Sequence, residues 1–359
     1  MRATCQQTIK LLAWAKPFEK RTWAIELAGG LGYLLAQQLV DAGEYVVDVP
    51  PTLASRVRVL GTGRSDKNDP NDALSVAVAA LRSDSLRQVE TADHAEIMRL
   101  LAKRNHDLGR MRARLICRLH NALADLSAGG IAKELYVSDA DRLLGSYEPV
   151  TPIEHMRHQL ARELVDDVRR LDTLIKESHC RIRTAVRASK TSLTEVYGVG
   201  PIVACMVIGL TGDVGRFANQ DHFAAYAGVA PIEHSSGGRI AHRLSRRGNR
   251  KLNNAIHIVA LTQIRNPGTN GRIYFERKVA EGKTKREALR SLKRQVSNAI
   301  FRQLVLDARQ GAREDRRERL IAAWSALHPD GRLLGEVTPG PIRSLRTCAL
   351  LVTGRFIAP

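Results

Sequence analysis

The first eighty residues alternate between short apolar runs and amphipathic stretches. Thr22–Leu27 is an apolar run of strand length, turned by Gly29-Gly30. Leu31–Ala42 puts Leu31, Leu34, Leu35 and Leu39 on one helical face and stops at Gly43. Glu44–Val49 repeats the strand pattern and closes on Pro50-Pro51. Strand, helix, strand is a βαβ unit, which predicts a parallel pair joined by a right-handed crossover. A basic loop with Arg56, Arg58, Arg64 and Lys67 follows. Asp69-Pro70 then opens a helix whose buried stripe is Ala73, Val76, Ala77, Ala80 and Leu81.

From Ala92 to Ser189 the pattern changes to long helix. Leu101, Leu108 and Leu115 are seven apart, and Leu119 and Leu126 continue the stripe. Leu164 and Leu171, with Val168, Ile175 and Ile182, repeat the spacing, which favours a coiled coil. Ser127–Tyr147, with Gly129-Gly130, is the expected connection. The heptads leave two readings open, a hairpin that packs on itself and a dimerisation arm, because they do not say which chain supplies the partner. The predicted class is therefore α/β plus all-α. The expected parts are an α/β domain over 1–90, a coiled-coil region over 91–190, a helical basic domain over 191–308 and a poorly ordered tail over 309–359.

Charge then narrows the function. The 359 residues carry 56 Lys+Arg against 37 Asp+Glu, a net charge of +19. That surplus favours a polyanionic partner, nucleic acid first. Aromatics are only 4%, which argues against base-stacking single-strand modules. No apolar stretch reaches the roughly 18 residues a spanning helix needs. Leu11–Ala15, ending in Lys16-Pro17, is too brief for a secretory signal, so a cytoplasmic, nucleoid-associated protein is expected. The five cysteines, Cys5, Cys117, Cys180, Cys205 and Cys348, have no metal-ligand spacing, so neither a zinc site nor a disulfide framework is expected.

Three constellations carry chemistry. Glu26 ends the first strand, and Asp69 and Asp72 stand three apart at a helix start. The two aspartates share a helix face. A strand-end carboxylate can meet them at the carboxyl edge of a parallel sheet, where hard oxygen ligands suit Mg²⁺. Asp69 as N-cap, Pro70 at the first position and Asp72 at N3 explain the same residues as a helix start. Gly198-Val199-Gly200-Pro201 runs into the apolar helix Ile202–Leu210. It reads either as a helix-hairpin-helix-like grip on a phosphate or as a tight entry that needs glycine for sterics. Gly228–Gly238 contains His234, Ser235 and Ser236. After it come Arg239, His242, Arg243, Arg246, Arg247, Gly248-Asn249, Arg250 and Lys251. Ser236 in a Ser-Gly-Gly turn suits a phosphodiester nucleophile and the cations suit phosphates, although a plain loop and a solvated basic face fit the same residues.

Taken in order, these segments resemble one family. Trp23-Ala24-Ile25-Glu26 with Gly29-Gly30, Asp69-Pro70-Asn71-Asp72-Ala73, Gly228–Gly238 with Arg247-Gly248-Asn249, and the later run Gly271-Arg272-Ile273-Tyr274-Phe275, Gly282-Lys283, Ala288-Leu289-Arg290 and Lys293-Arg294 look like the DEDD-type insertion-sequence transposases, related to the Piv and MooV recombinases. The resemblance spans most of Leu11–Leu306. It implies a RuvC-like (RNase H fold) N-terminal domain with four acidic residues on Mg²⁺, a coiled coil, and a C-terminal domain with an essential serine. Glu26 takes the second acidic position, Asp69 and Asp72 the third and fourth, and Ser236 that of the serine. DNA cut and rejoined through a phosphoserine, a multimeric synapse of identical chains and a structured guide RNA are likewise implied by the resemblance.

The family's first Asp lies on an opening strand, whereas this sequence has no Asp before Asp41. A missing first hairpin, an exposed strand edge and an impaired metal site are therefore expected. Metal-dependent strand cleavage should be weak or absent in this chain and stronger in one extended upstream through an Asp-bearing strand. Equal cleavage by both refutes the expectation. The same charge and carboxylates would also serve a non-catalytic nucleic-acid-binding protein or a RuvC-type junction nuclease.

Overall fold

The computed structural model describes residues 4–60, 68–83, 86–91, 93–127, 131, 134–233, 242–244, 248–311, 348–352 and 355–357. The chain divides into two compact units, 1–92 with 332–359, and 93–331. The layout is α/β in the first unit and mostly helical in the second.

In the first unit, α1 (Cys5–Ala15) starts at Thr4, whose hydroxyl accepts from the Gln7 N–H at 3.2 Å. β1 (Arg21–Glu26), α2 (Tyr33–Asp41) and β2 (Val46–Val49) form the expected βαβ unit. Its strands are parallel, with register from Trp23↔Val46 to Glu26↔Val49. Strand alternation sorts the core into two layers. Trp23, Ile25 and Val46 pack with Leu11 of α1 and Leu35 and Leu39 of α2. Ala24, Val47 and Val49 pack on the other face against α3 (Pro51–Leu60) and α4 (Asp69–Leu81).

Three expectations change here. Residues 51–60 were expected to be a basic loop, but they form α3. Pro51 sits at its first position, where a missing N–H costs nothing, and Ala54 is buried. The cap of α4 is Asn68, whose side chain accepts from the Asn71 N–H at 2.9 Å, so Asp69 and Asp72 lie inside the helix. β3 (Arg87–Gln88) pairs antiparallel with β2. A strand over 348–352 pairs antiparallel with β1, and one over 355–357 pairs with it in turn. The edge of β1 that was expected to be exposed is therefore paired.

In the second unit, α5 (His94–Ala124), α6 (Val137–Ser146) and α7 (Pro152–Ala188) pack together. Thr151 and Glu154 close a capping box at the start of α7. Ala95 and Met98, early in α5, share a core with Ile182, Ala185 and Val186, late in α7. Leu119 and Leu123 share another with Ala161, Val165 and Leu144 of α6. The two long helices therefore run antiparallel, and Arg112 grips Asp172 between them at 2.5 and 3.2 Å. For the buried heptad positions the partner helix is in the same chain.

The helical region and the basic domain, expected as separate bodies, share one core. The N-terminal part of α5 and the C-terminal part of α7 pack with α8 (Pro201–Thr211), α9 (Gln220–Tyr226), α10 (Arg250–Arg265) and α12 (Lys285–Gly311), while α11 (Asn270–Ala280) lies against α12. Gly209 of α8 lets two helix backbones touch, since a Cβ there would lie 2.4 Å from the Arg99 nitrogen. Between α9 and α10 the chain makes an antiparallel pair, β4 (Pro231–Glu233) with β5 (His242–Leu244). No described helix is long and apolar enough to cross a membrane.

One ion pair ties the start of β1 to the start of β2. Arg21 Nε donates to Glu44 Oε2 at 2.7 Å, a second Arg21 nitrogen reaches Oε1, and the Trp23 indole donates to Oε2 at 2.7 Å. The Arg21 bond, and then the Trp23 bond, hold the Glu44 carboxyl below its usual range against the opposing effect of burial. A depressed folded pKa means that this stability is complete above the ordinary carboxyl value of about 4.3 and is lost as pH falls through the lower folded value. Glu44→Gln should lower stability by about 2 kcal/mol at neutral pH. That loss should shrink toward zero in urea titrations carried down through the acid range.

Candidate functional site

The acidic side chains belong to the carboxyl edge of the small sheet. Glu26 is the last residue of β1 and half-buried. Alternation places it on the face of Ala24, which α4 covers. The chain turns sharply beyond it. Leu27 adopts φ +56°, its carbonyl accepts from Gly30 and Gly32 at 2.8 and 3.1 Å, and a Cβ on Gly32 would lie 2.5 Å from Ile25 Cγ2. A strained non-glycine residue held by its surroundings is characteristic of functional strand ends.

Asp69 and Asp72 sit in the first turn of α4. Asp69 is exposed. Asp72 is half-buried and accepts from Arg58 of α3 at 2.5 Å. Asp48, in β2, is a further acid at this edge that the sequence reading passed over. Its oxygens accept from the Ala28 N–H at 2.9 Å and from Arg87 at 3.1 Å, so it closes the turn after β1. A carboxylate inside an apolar strand demands a partner, and that signal is present in the sequence at Asp48 as it is at Glu26. Among the described residues no three His, Cys, Asp or Glu side chains are grouped to hold a metal ion. The donor chemistry suits a hard cation, but Glu26, Asp69 and Asp72 are not gathered into one coordination sphere, and Arg58 already neutralises Asp72. As described, these residues do not make up a Mg²⁺ site.

The glycine loop in the second unit has a steric explanation. Gly198 has φ +88°, and a Cβ there would meet Val259 O and Thr262 Cβ of α10 at 3.3 Å. Gly200 caps α8 with ordinary dihedrals and open space around it. The loop is thus shaped by its approach to α10, with Pro201 at the first helical position.

The serine-bearing segment is held at its base. Gly228, with φ +66°, lies against Gly248: a Cβ on Gly248 would be 2.4 Å from both Gly228 Cα and N. Asn253 Nδ2 donates to the carbonyls of Ala227 and Gly228 at 3.0 and 2.9 Å. Asn249 donates its backbone N–H to Tyr226 O at 2.6 Å and caps α10 through Lys251 and Leu252. Its Nδ2 reaches the Tyr226 hydroxyl at 3.0 Å, which in turn donates to Leu210 O at 2.8 Å. The chain therefore enters and leaves the hairpin at one pinned point. Ser236, Arg239, Arg246 and Arg247 lie outside the described residues. Arg243 is in β5, and Arg250 and Lys251 are exposed at the start of α10.

A family model described as the IS116/IS110/IS902 transposase family matches residues 190–274. A second model, the DEDD transposase of the IS110 type, matches residues 2–127. The insertion element IS116 protein of Streptomyces clavuligerus is 27% identical over 345 residues, covering 83% of this chain and 86% of its own length. The insertion element IS900 protein of Mycobacterium paratuberculosis is 26% identical, over 79% of this chain and 82% of its own. The transposase for insertion sequence element IS1111A of Coxiella burnetii is 28% identical over 56% of each.

The chain belongs to the IS110 family of insertion-sequence transposases.

Within this IS110-family chain the two matched segments fall on different structural parts. The first covers the βαβ unit, α4 and α5; the second covers α8 to α10 with the pinned hairpin. Neither reaches α12, which packs against α9, α10 and α11. The hairpin base gives a direct test. Gly248→Ala forces backbone apart and should cost about 1–3 kcal/mol, whereas Gly200→Ala, with open space around it, should stay within about 0.5 kcal/mol. Chemical denaturation of the two variants checks the contrast.

Proposed function

We propose that this chain is the DNA transposase of an insertion sequence, cutting and rejoining strands through Ser236. Two family segments in the family's order support this, one on a βαβ unit with Glu26 at a strained strand end and one on a hairpin pinned at its base. In this reading the sheet is a partial RuvC-like domain, and Glu26, Asp69 and Asp72 are its acidic positions. Mg²⁺ is the cation that such carboxylates take. No step is derived through it, because the described carboxylates are not assembled around one point.

The serine chemistry balances on its own. The Ser236 hydroxyl oxygen attacks a DNA phosphorus, the bond from that phosphorus to one deoxyribose oxygen breaks, and the serine proton ends on the leaving oxygen. A deoxyribose hydroxyl of another strand then attacks the phosphoserine, which restores Ser236 and joins the new ends. Arg239, Arg243, Arg246, Arg247, Arg250 and Lys251 supply charge to hold phosphates and offset charge on the five-coordinate phosphorus. Gly198 and Gly200 add backbone N–H groups near a helix start.

The reading extends to a structured guide RNA and to a multimeric synapse in the bacterial nucleoid. The exposed apolar residues Ile153, Met156 and Leu160, on one face of α7, suit contact between copies.

Ser236→Ala should abolish strand transfer while duplex DNA binding stays within about twofold of the parent. Retained transfer refutes the serine mechanism. Cleavage that survives Ser236→Ala and is lost in Asp69→Asn identifies a junction nuclease instead. Binding without cleavage under every condition identifies a non-catalytic DNA-binding protein.

A further inference from the structure

A cleft of about 400 Å³ lies in the second unit where the entry to β4 meets α11 and α12. One wall is apolar, made by Val229, Ala230 and Pro231. The other carries Lys283, Arg290, Lys293 and Arg294. Glu287 also lines it, but its carboxylate accepts from the Thr284 N–H and hydroxyl at 2.9 and 2.7 Å, as a helix cap. Arg294 pairs with Asp221. Among the described residues Lys283, Arg290 and Lys293 have no ion pair.

Lys293 is the most constrained of these cations. It is half-buried, and its ammonium donates to Asn253 Oδ1 at 2.6 Å. Asn253 is the residue whose amide holds the Ala227 and Gly228 carbonyls at the hairpin base. Burial, then the neighbouring Arg250 and Arg290, lower its pKa, and burial, then Lys293, lower that of His257. Lys293 is thus a partly dry cation held by one neutral amide, with the exposed Arg250 and Arg290 near it. Glu287 supplies negative charge to Arg290 and Lys283, whereas the burial of Lys293 favours an anion that enters beside it. A cationic wall opposite an apolar one matches the two faces of a sugar–phosphate chain.

We propose that this cleft binds a phosphodiester group of DNA, with Lys293 and Arg290 as its cations, and so anchors a strand beside the hairpin that carries Ser236. The choice of DNA as the source of the phosphate rests on the transposase reading. Lys293 also acts as a positioning residue, since a phosphate that pulls on its ammonium is coupled through Asn253 to the turn at Gly228.

The test is the affinity of the full-length chain for a short labelled duplex across a salt series, read by fluorescence anisotropy. Each lost phosphate contact should lower the slope of log K against log salt by about 0.9. Lys293→Gln and Arg290→Gln should each show that drop, and Lys293→Arg should restore the parent slope. Arg290 is exposed, so its variant keeps the test informative if Lys293→Gln unfolds. Unchanged slopes in both Gln variants overturn the proposal, as does a change seen with RNA of the same length and not with duplex DNA. The assay needs no strand transfer. A reduced slope in a chain that transfers no strand supports the cleft while the transposase reading falls. An unchanged slope in a chain that transfers strands does the reverse.

Discussion

The contact between Gly228 and Gly248 is the constraint on which the second unit turns. Two stretches of backbone meet there closer than any side chain allows, and everything between them must leave and return through that point. The contact alone would be a weak hinge. It is made rigid by two asparagines, which spend their amides on backbone carbonyls, a helix start and the Tyr226 hydroxyl. Amides suit this place because they satisfy buried backbone groups without adding charge near a cationic cleft. An Asp at 253 would give up the N–H donors to the Ala227 and Gly228 carbonyls and set a carboxylate against Lys293.

The acidic unit follows a different logic. Its strand end is shaped by local strain at Leu27 and by the absence of a side chain at Gly32, so Glu26 is held at a kinked exit. Around it the other carboxylates already have partners. Asp48 closes the turn and Asp72 faces Arg58. An arginine is a good neutralising partner for a lone carboxylate at a strand edge, because its planar fork keeps the geometry without requiring the charge to be buried. The cost is that any cation seeking Asp72 must compete with a covalently tethered one.

Much of this was legible in the residues. The βαβ unit could be read because apolar runs, Gly29-Gly30 and Gly43 mark strand and helix limits by sterics alone. The heptads of α5 and α7 could be read because a seven-residue spacing has few other causes. What escaped was decided by tertiary context. Residues 51–60 carry too many arginines to look like a core helix, yet burial of Ala54 with Leu53 and Val57 beside it, in the core that holds Ala24, Val47 and Val49, suffices. The α4 cap fell on Asn68 rather than Asp69 because both fit an N-cap and only the chain path selects one. Lys293 stands in the run that resembles the family, but its contact with Asn253, and that of Asn253 with the Gly228 carbonyl, had no sequence signal, since the partners lie 25 to 40 residues apart. Gly248 stands in a motif, but its reason is the backbone of Gly228, 20 residues upstream.

Charge separates grip from recognition. The surplus of cations is large, and several gather near the hairpin base, at the start of α10 and along α12. Contacts of that kind hold phosphates and carry no base identity. Of the amides on the described helices, Asn249 and Asn253 are committed to backbone and Gln263 donates to Tyr197 O, whereas Asn254 and Gln295 are exposed. Aromatic platforms for unstacked bases are scarce at 4% of residues. In the proposed transposase, phosphate contacts of that kind leave the choice of a target to a polymer that reads bases by pairing or to the deformability of the DNA.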